Sequence, residues 1–91
     1  MKIEISLESV STEAEMHTAL KSALGFPSFY GMNWHAFWDA ITGLVKMPNE
    51  LILIGWRSFS FRMPEEARLL KYKLDQYIKE YDNQIDIRYE D

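Results

Sequence analysis

The sequence predicts an α/β fold in a single domain, with elements in the order β-α-α-β-(short)-α-β. Two segments, "KIEISL" near the start and "IDIRY" near the end, alternate apolar and polar residues as half-buried strands do. A third segment, "ELILIGW", is a continuous apolar run, which predicts a strand covered on both faces. Helical segments separate the three strands, and strands joined through helices favour a parallel sheet with right-handed crossovers.

The first strand is predicted at residues 2–7, and a helix follows it. Thr12 and Glu15 have the spacing of a capping box, so the helix is expected to begin there. Apolar residues then recur at helical spacing as far as Gly25, which ends the helix. His17 lies beside this apolar stripe, which predicts a surface or boundary position for its side chain.

A loop and a second helix come next. Residues 25–32 carry two glycines and a proline, which is typical of a loop, and Asn33 is a suitable N-cap for a helix reaching about Gly43. Projected at about 100° per residue, Phe37 and Ile41 fall within an apolar arc that we expect in the core. Leu44 falls in the same arc.

The remaining faces of this second helix predict a binding surface rather than a pocket. Trp38 lies at the edge of the apolar arc and is expected to be half exposed. Asp39 caps nothing in mid-helix, so its carboxylate is free for an arginine or lysine of a partner. An exposed tryptophan beside a charge and small side chains has the composition of an interface hot spot. The small residues on the third side of the helix are Ala36, Ala40 and Gly43.

The second half of the chain is predicted to hold two strands and one long helix. The strand "ELILIGW" begins at residue 50, and the segment after it, "RSFSFRM", fits a hairpin strand, a turn or a short helix. Pro64 suits the first turn of a helix that continues to about residue 81. The final strand is expected at residues 85–89.

Length and composition describe one domain, residues 1–91, large enough to bury a core. The chain has no cysteine, which excludes a small disulfide-built secreted scaffold. Its net charge of −4 argues against direct binding of nucleic acid. The first residues lack the apolar region of a signal peptide, and no segment approaches the roughly 20 apolar residues of a membrane span. We therefore expect a soluble, cytoplasmic monomer.

The motifs indicate neither a cofactor nor a metal site. The four glycines are too far apart for a phosphate loop, and without cysteine a structural zinc site is not expected. His35 and Asp39 are four residues apart on the second helix, so they could begin an acid–base site. A catalytic dyad also needs a third group and a cleft, and the sequence shows neither. We interpret the pair as a surface ion pair and the protein as not an enzyme.

The stretch "FPSFYGMNWHAFWDAITGLV", residues 26–45, resembles the barstar family of intracellular ribonuclease inhibitors. The hallmark of that family is a proline-containing loop followed by Tyr-Gly-x-Asn-Leu-Asp-Ala-Leu-Trp-Asp-x-Leu-Thr-Gly. Beyond residue 60 the resemblance is one of pattern and length. The positions that match the hallmark are Pro27, Tyr30, Gly31, Asn33, Ala36, Trp38, Asp39, Thr42 and Gly43.

The resemblance implies a small three-stranded parallel sheet covered by helices on one side. It also implies that the loop and the second helix block the active site of a small basic ribonuclease such as barnase. Asp39 would then mimic a substrate phosphate, with Trp38 and Tyr30 excluding water around it. The partner-binding residues implied in this way are Phe29, Tyr30, Gly31, Asn33, Trp34, His35, Trp38, Asp39, Thr42 and Gly43, with Gln76 and Glu80 on the late helix.

Departures from the hallmark weaken the negative field of this surface. His35 stands where the family has its first acid, Trp34 replaces a leucine, Phe29 a tyrosine and Leu44 a tryptophan. The partner could therefore be a diverged ribonuclease or another nucleic-acid-cleaving toxin. Two functions remain open: a non-catalytic ribonuclease inhibitor, or an interaction module or immunity protein of the same fold whose partner is not a barnase-type ribonuclease.

Overall fold

A three-stranded parallel sheet forms the centre of the molecule, as the sequence predicts. The computed structural model describes residues 1–91. The strands are in the spatial order β1-β2-β3, with β2 between the other two. The elements along the chain are β1 (Lys2–Ser6), α1 (Glu13–Leu24), α2 (Trp34–Asp39), a π-helical turn (Ala40–Leu44), β2 (Glu50–Ile54), α3 (Trp56–Arg62), α4 (Pro64–Glu80) and β3 (Asp86–Glu90).

The register of the sheet places one apolar face against the helices. Leu51 of β2 lies opposite Ile3 of β1 and Ile87 of β3, and the same face continues with Ile5 and Leu53. Side chains of this face join a core cluster of 20 buried residues that also includes side chains of the helices. The helices therefore cover one face of the sheet.

The expectation that β2 is covered on both faces is confirmed at the centre of the strand, where Leu51, Ile52 and Leu53 are all buried. Ile52 is buried but is not part of the main core. It lies on the opposite face, between its register partners Glu4 and Arg88, which are exposed. Ile52 is therefore shielded by side chains of the neighbouring strands and not by helices. This explains why the sequence of β2 is apolar throughout although helices cover only one face of the sheet.

Predicted helix ends are confirmed where the signal is local. The hydroxyl of Thr12 accepts a hydrogen bond from the Glu15 amide, and Glu15 reaches back to the Thr12 amide, which completes the capping box. Gly25 ends α1 in the left-handed conformation. The side chain of Asn33 accepts a hydrogen bond of 2.8 Å from the Ala36 amide at the start of α2.

The ambiguous segment "RSFSFRM" belongs mostly to a helix. Helix α3 begins directly after Gly55, whose φ of 79° turns the chain sharply at the end of β2. Arg62 at the end of α3 donates hydrogen bonds to the carbonyl oxygens of Leu7 and Val10, at 2.8 and 3.0 Å. These bonds fasten α3 to the segment that follows β1.

The second helix changes its winding at Ala40. In the π-helical turn the Val45 amide donates to the Ala40 carbonyl, five residues back, so each residue advances less far around the axis than in an α-helix. Leu44, at the end of this turn, is 50% exposed, whereas Ala40 at its start is buried. The expected positions of Ala40 on an outer small-residue side and of Leu44 in the apolar arc are therefore wrong. Phe37 and Ile41 are buried, as predicted.

None of the helices has the length and apolar character needed to cross a lipid bilayer.

Candidate functional site

A groove with a volume of about 270 Å³ lies between the loop that precedes α2 and the outer side of α2 and the π-helical turn. We call it the α2 groove. Six of the predicted partner-binding residues meet there, and two further residues, Ala36 and Leu44, complete its lining. The six are Phe29, Tyr30, Gly31, Asn33, His35 and Asp39.

Asp39 offers an accessible carboxylate in this groove. Its side chain is 57% exposed, and the His35 side chain, four residues earlier, is 91% exposed. The distance between Nε2 of His35 and Oδ2 of Asp39 is 3.5 Å. Both groups therefore reach solvent, as predicted for Asp39, and the carboxylate can exchange its contact with the imidazole for an arginine or lysine of a partner.

Trp38 is half-buried beside the groove, as predicted. Its indole meets the ring of Tyr81 edge-on, with 5.7 Å between the ring centroids. The Lys73 ammonium lies 5.8 Å from the centroid of the indole. The hydroxyl of Thr42 donates a hydrogen bond of 2.7 Å to the Trp38 carbonyl. Trp38 is thus held from two elements, with part of its surface left free for contact.

Tyr30 supports the groove mainly from its buried side. Its side chain is only 6% exposed, and its hydroxyl is joined to Nδ1 of His17 by a hydrogen bond of 2.8 Å. Burial raises the pKa of the Tyr30 phenol. Most of this ring is out of reach of a partner, although it lines the groove together with Asp39. That Tyr30 excludes water around Asp39 stays a prediction. The position of the ring fixes the loop.

The predicted surface or boundary position of His17 is wrong, because the side chain is 0% exposed. Besides its bond to Tyr30, the imidazole packs edge-on against Trp34, with 5.2 Å between ring centroids. Burial lowers the pKa of His17, while the negative charge of Glu13 acts in the opposite direction. Helical spacing places His17 next to the core stripe, but only the folded loop supplies the partner that lets a polar ring be buried there.

Trp34 connects α2 to α4. Its indole nitrogen donates a hydrogen bond of 3.0 Å to Oε2 of Glu66, and its ring packs edge-on against Phe37. The polar atom of Trp34 is therefore already bonded within the chain. Any contribution of Trp34 to binding comes from the part of its ring that remains exposed, and from the orientation that it gives to α2.

The loop before α2 presents Phe29 to solvent, where the ring is largely exposed. Close behind it, a side chain at Gly31 would place its Cβ 3.2 Å from Cβ of Ala36, which is tighter than ordinary contact. Met32 follows with a φ of 56°, in the left-handed region. The loop is thus folded tightly against the start of α2, and Phe29 lies on its outer side.

The model of the barstar family, described as Barstar (barnase inhibitor), matches residues 1–90. The chain belongs to the barstar family. A Bacillus subtilis (strain 168) protein named "Putative ribonuclease inhibitor YrdF" is 44% identical to it over 46 residues. That match covers 50% of this chain and 47% of the other protein, so the similarity spans about half the length of each.

Among the predicted partner-binding residues, those on α4 do not line the α2 groove. Gln76 is half-buried and Glu80 is exposed, and both border a separate shallow hollow on α4. Gly43 is exposed at the π-helical turn, and no atom lies within 4 Å of a Cβ built there. Sequence reasoning missed Lys73 and Tyr81, because their contacts with Trp38 join two elements that are far apart along the chain.

Proposed function

We propose that this barstar-family chain is a non-catalytic inhibitor that binds a small ribonuclease and blocks its active site. The observation that carries the proposal is the exposed carboxylate of Asp39, which projects from a fixed helix into the α2 groove. A phosphate-binding site in a ribonuclease is built from cationic side chains, and a carboxylate offers them the same kind of acceptor oxygens as a phosphate. The family description, an inhibitor of barnase, supports this assignment.

The support of α2 favours tight binding, because little order has to be gained when the partner arrives. Phe37 anchors the helix in the core, and Asn33 caps its first turn. Trp34 ties it to Glu66 of α4 at 3.0 Å. The loop is likewise held by the bond between Tyr30 and His17. Asp39 is thus presented on a rigid base.

The surroundings of Asp39 supply the apolar contact that an interface needs. Phe29 lines the groove together with Asp39, and the half-buried Trp38 is the neighbour of Asp39 in α2. Aromatic side chains beside a charged anchor are the usual composition of hot spots, since they keep water away from the ion pair. Thr42, Gly43, Gln76 and Glu80 are proposed to form the outer contacts.

Catalysis by the His35–Asp39 pair is not part of this proposal. Both side chains lie open to water, and exposed ion pairs of this kind are weakly coupled. We propose that the protein acts in the cytoplasm by binding alone. One observation favours the second candidate, an interaction module or immunity protein with a different partner: Asp39 is the only acid that lines the groove, because His35 occupies the position of the family's first acid.

The test is inhibition of RNA cleavage by a barnase-type ribonuclease. The wild-type protein is expected to abolish cleavage at stoichiometric concentration, and Asp39→Ala to weaken binding by at least about 2 kcal/mol. Asp86→Ala is the matched control, because Asp86 is a similarly exposed acid that pairs with Arg88 on the open face of the sheet. Equal affinity of the two variants would overturn the role of Asp39, and the absence of any inhibition would overturn the assignment to barnase-type enzymes.

A further inference from the structure

We propose that Lys73 determines specificity at the binding surface, and that this surface fits a ribonuclease with a carboxylate beside its phosphate site. The inference rests on the proposed function, because it concerns the same interface. It extends the surface from the α2 groove across Trp38 onto α4. We call the group of Trp38, Lys73 and Tyr81 the α4 ledge.

The α4 ledge is a packed unit. The Lys73 ammonium lies 5.8 Å from the centroid of the Trp38 indole, within the range of a cation–π interaction. Tyr81 meets the same indole at 5.7 Å between ring centroids and stacks on Tyr77, with an angle of 1° between the two rings. Lys73 is half-buried, so its charge stays close to the indole instead of moving freely in water.

The position of Lys73 on α4 places it within the proposed interface. Lys73 precedes Gln76 by three residues and Glu80 by seven, and this spacing puts the three side chains on one side of a helix. Trp38 directly precedes Asp39 in α2. A partner that receives Asp39 and covers Trp38 must therefore also approach the Lys73 ammonium.

No carboxylate of the chain neutralises this ammonium. On α4, Arg68 pairs with Glu65 and Lys71 with Asp75, whereas no acid lies within the 4.0 Å ion-pair distance of Lys73 or of Lys79. Covering an unpaired charge costs free energy unless the partner supplies a matching group. A uniformly basic ribonuclease would also be repelled here, so Lys73 disfavours it while favouring a partner with an acid at this point.

The consequence is a bipolar recognition surface, with Asp39 as the negative pole and Lys73 as the positive pole. His35 in place of an acid acts in the same direction, because it reduces the attraction for a uniformly basic surface. The partner class is therefore a ribonuclease with a cationic phosphate site and an acidic side chain on the rim next to it.

The experiment compares wild type, Lys73→Glu and Lys71→Glu against a barnase-type ribonuclease and a set of its variants. Each ribonuclease variant carries one basic-to-acidic change on the rim of the active site. Lys71→Glu is the matched control, because Lys71 lies two residues away on the same helix and faces Tyr89 on the other side. Dissociation constants are measured at low and at high salt, and thermal unfolding shows that all three proteins remain folded.

For at least one rim position, the basic-to-acidic change in the ribonuclease is expected to reverse which inhibitor binds it more tightly, wild type or Lys73→Glu. The acidic ribonuclease variant should bind wild type at least about threefold more tightly than its parent does, and should bind Lys73→Glu at least about threefold more weakly. Lys71→Glu should behave like wild type. If wild type binds the ribonucleases but no rim position reverses the order, the role of Lys73 is overturned while the proposed function stands. If wild type binds none of the ribonucleases, both are overturned.

Discussion

Nδ1 of His17 and the hydroxyl oxygen of Tyr30 lie 2.8 Å apart, in a buried contact that joins α1 to the loop carrying Phe29. The other imidazole nitrogen, Nε2, is buried without a hydrogen-bond partner. The bond to Tyr30 is thus the single polar contact of this side chain. The shape of the binding loop depends on this bond, although both rings are almost completely buried.

Removing the Tyr30 hydroxyl should destabilise the fold. Tyr30→Phe leaves His17 with two unsatisfied buried nitrogens, and an orphaned buried polar group costs about 1–3 kcal/mol. The free energy of unfolding, measured with urea, is expected to fall by an amount in this range. Tyr72→Phe is the control, because Tyr72 is exposed and its change should stay within about 0.5 kcal/mol. Equal stability of the two variants would contradict the importance of this bond.

Stability should decrease as the pH is lowered below 6.5. Burial lowers the pKa of His17 from 6.5, so in this range the unfolded chain binds more protons than the folded one. The contribution of neutral His17 is complete above pH 6.5 and is lost progressively as the pH falls towards the pKa of the folded state. In His17→Asn, whose amide can still reach Tyr30, this part of the pH dependence should disappear. Urea unfolding at several pH values between 5 and 7 measures the difference, and parallel curves for the two proteins would contradict it.

A second acid in the α2 groove should speed association with a basic ribonuclease. His35→Asp adds negative charge at a side chain that is 91% exposed, and exposed charges act mainly on the rate of encounter. The gain should shrink at high salt, where such charges are screened. Two acids four residues apart repel each other, so stability should fall by a few tenths of a kcal/mol. Stopped-flow association rates check the prediction; slower binding would indicate that His35 faces an acidic group of the partner.

Replacement by alanine should destabilise the fold at Gly55 but not at Gly43. Gly55 has a φ of 79°, and a Cβ there would clash with Cγ of Glu8 and lie 3.1 Å from its Cα. Gly55→Ala should therefore cost at least about 1–3 kcal/mol of stability. At Gly43 a Cβ meets nothing within 4 Å, so Gly43→Ala should leave folding intact while it weakens ribonuclease binding by blocking close approach. Denaturation and inhibition assays separate the two effects, and a stable Gly55→Ala protein would refute the steric argument.

The parts of the fold that could be predicted depend on short-range chemistry. The Thr12–Glu15 capping box, the left-handed Gly25 and the Asn33 cap each act within a few residues, so the sequence pattern contains the whole interaction. The parallel sheet follows from strands separated by helices. Of the site, the exposed Asp39 and the half-buried Trp38 were predictable, since Trp34–Asp39 form an ordinary α-helix before the π-helical turn begins.

What could not be predicted depends on contacts between distant elements or on a change of helical winding. Burial of His17 requires Tyr30 to fold over it, and the placement of Lys73 requires Trp38 of another helix. The wheel assumed 100° per residue, so it misplaced Leu44 beyond the start of the π-helical turn. Ala40 is buried although ordinary helical spacing places it on the same side as Ala36. The residues of that segment carry no sequence signal for a π-helical turn, and its formation has no structural explanation.

The order of the strands has a consequence for how quickly the protein can fold. Every pair of neighbouring strands is distant along the chain: Lys2 lies opposite Glu50, and Glu50 lies opposite Asp86. No hairpin is available as a local starting point, so a long loop must close before the first sheet hydrogen bond can form. The helices, whose contacts are local, can form within the still-open chain. Folding should thus be limited by the search for strand partners, and should be slower than in a helical bundle of the same length.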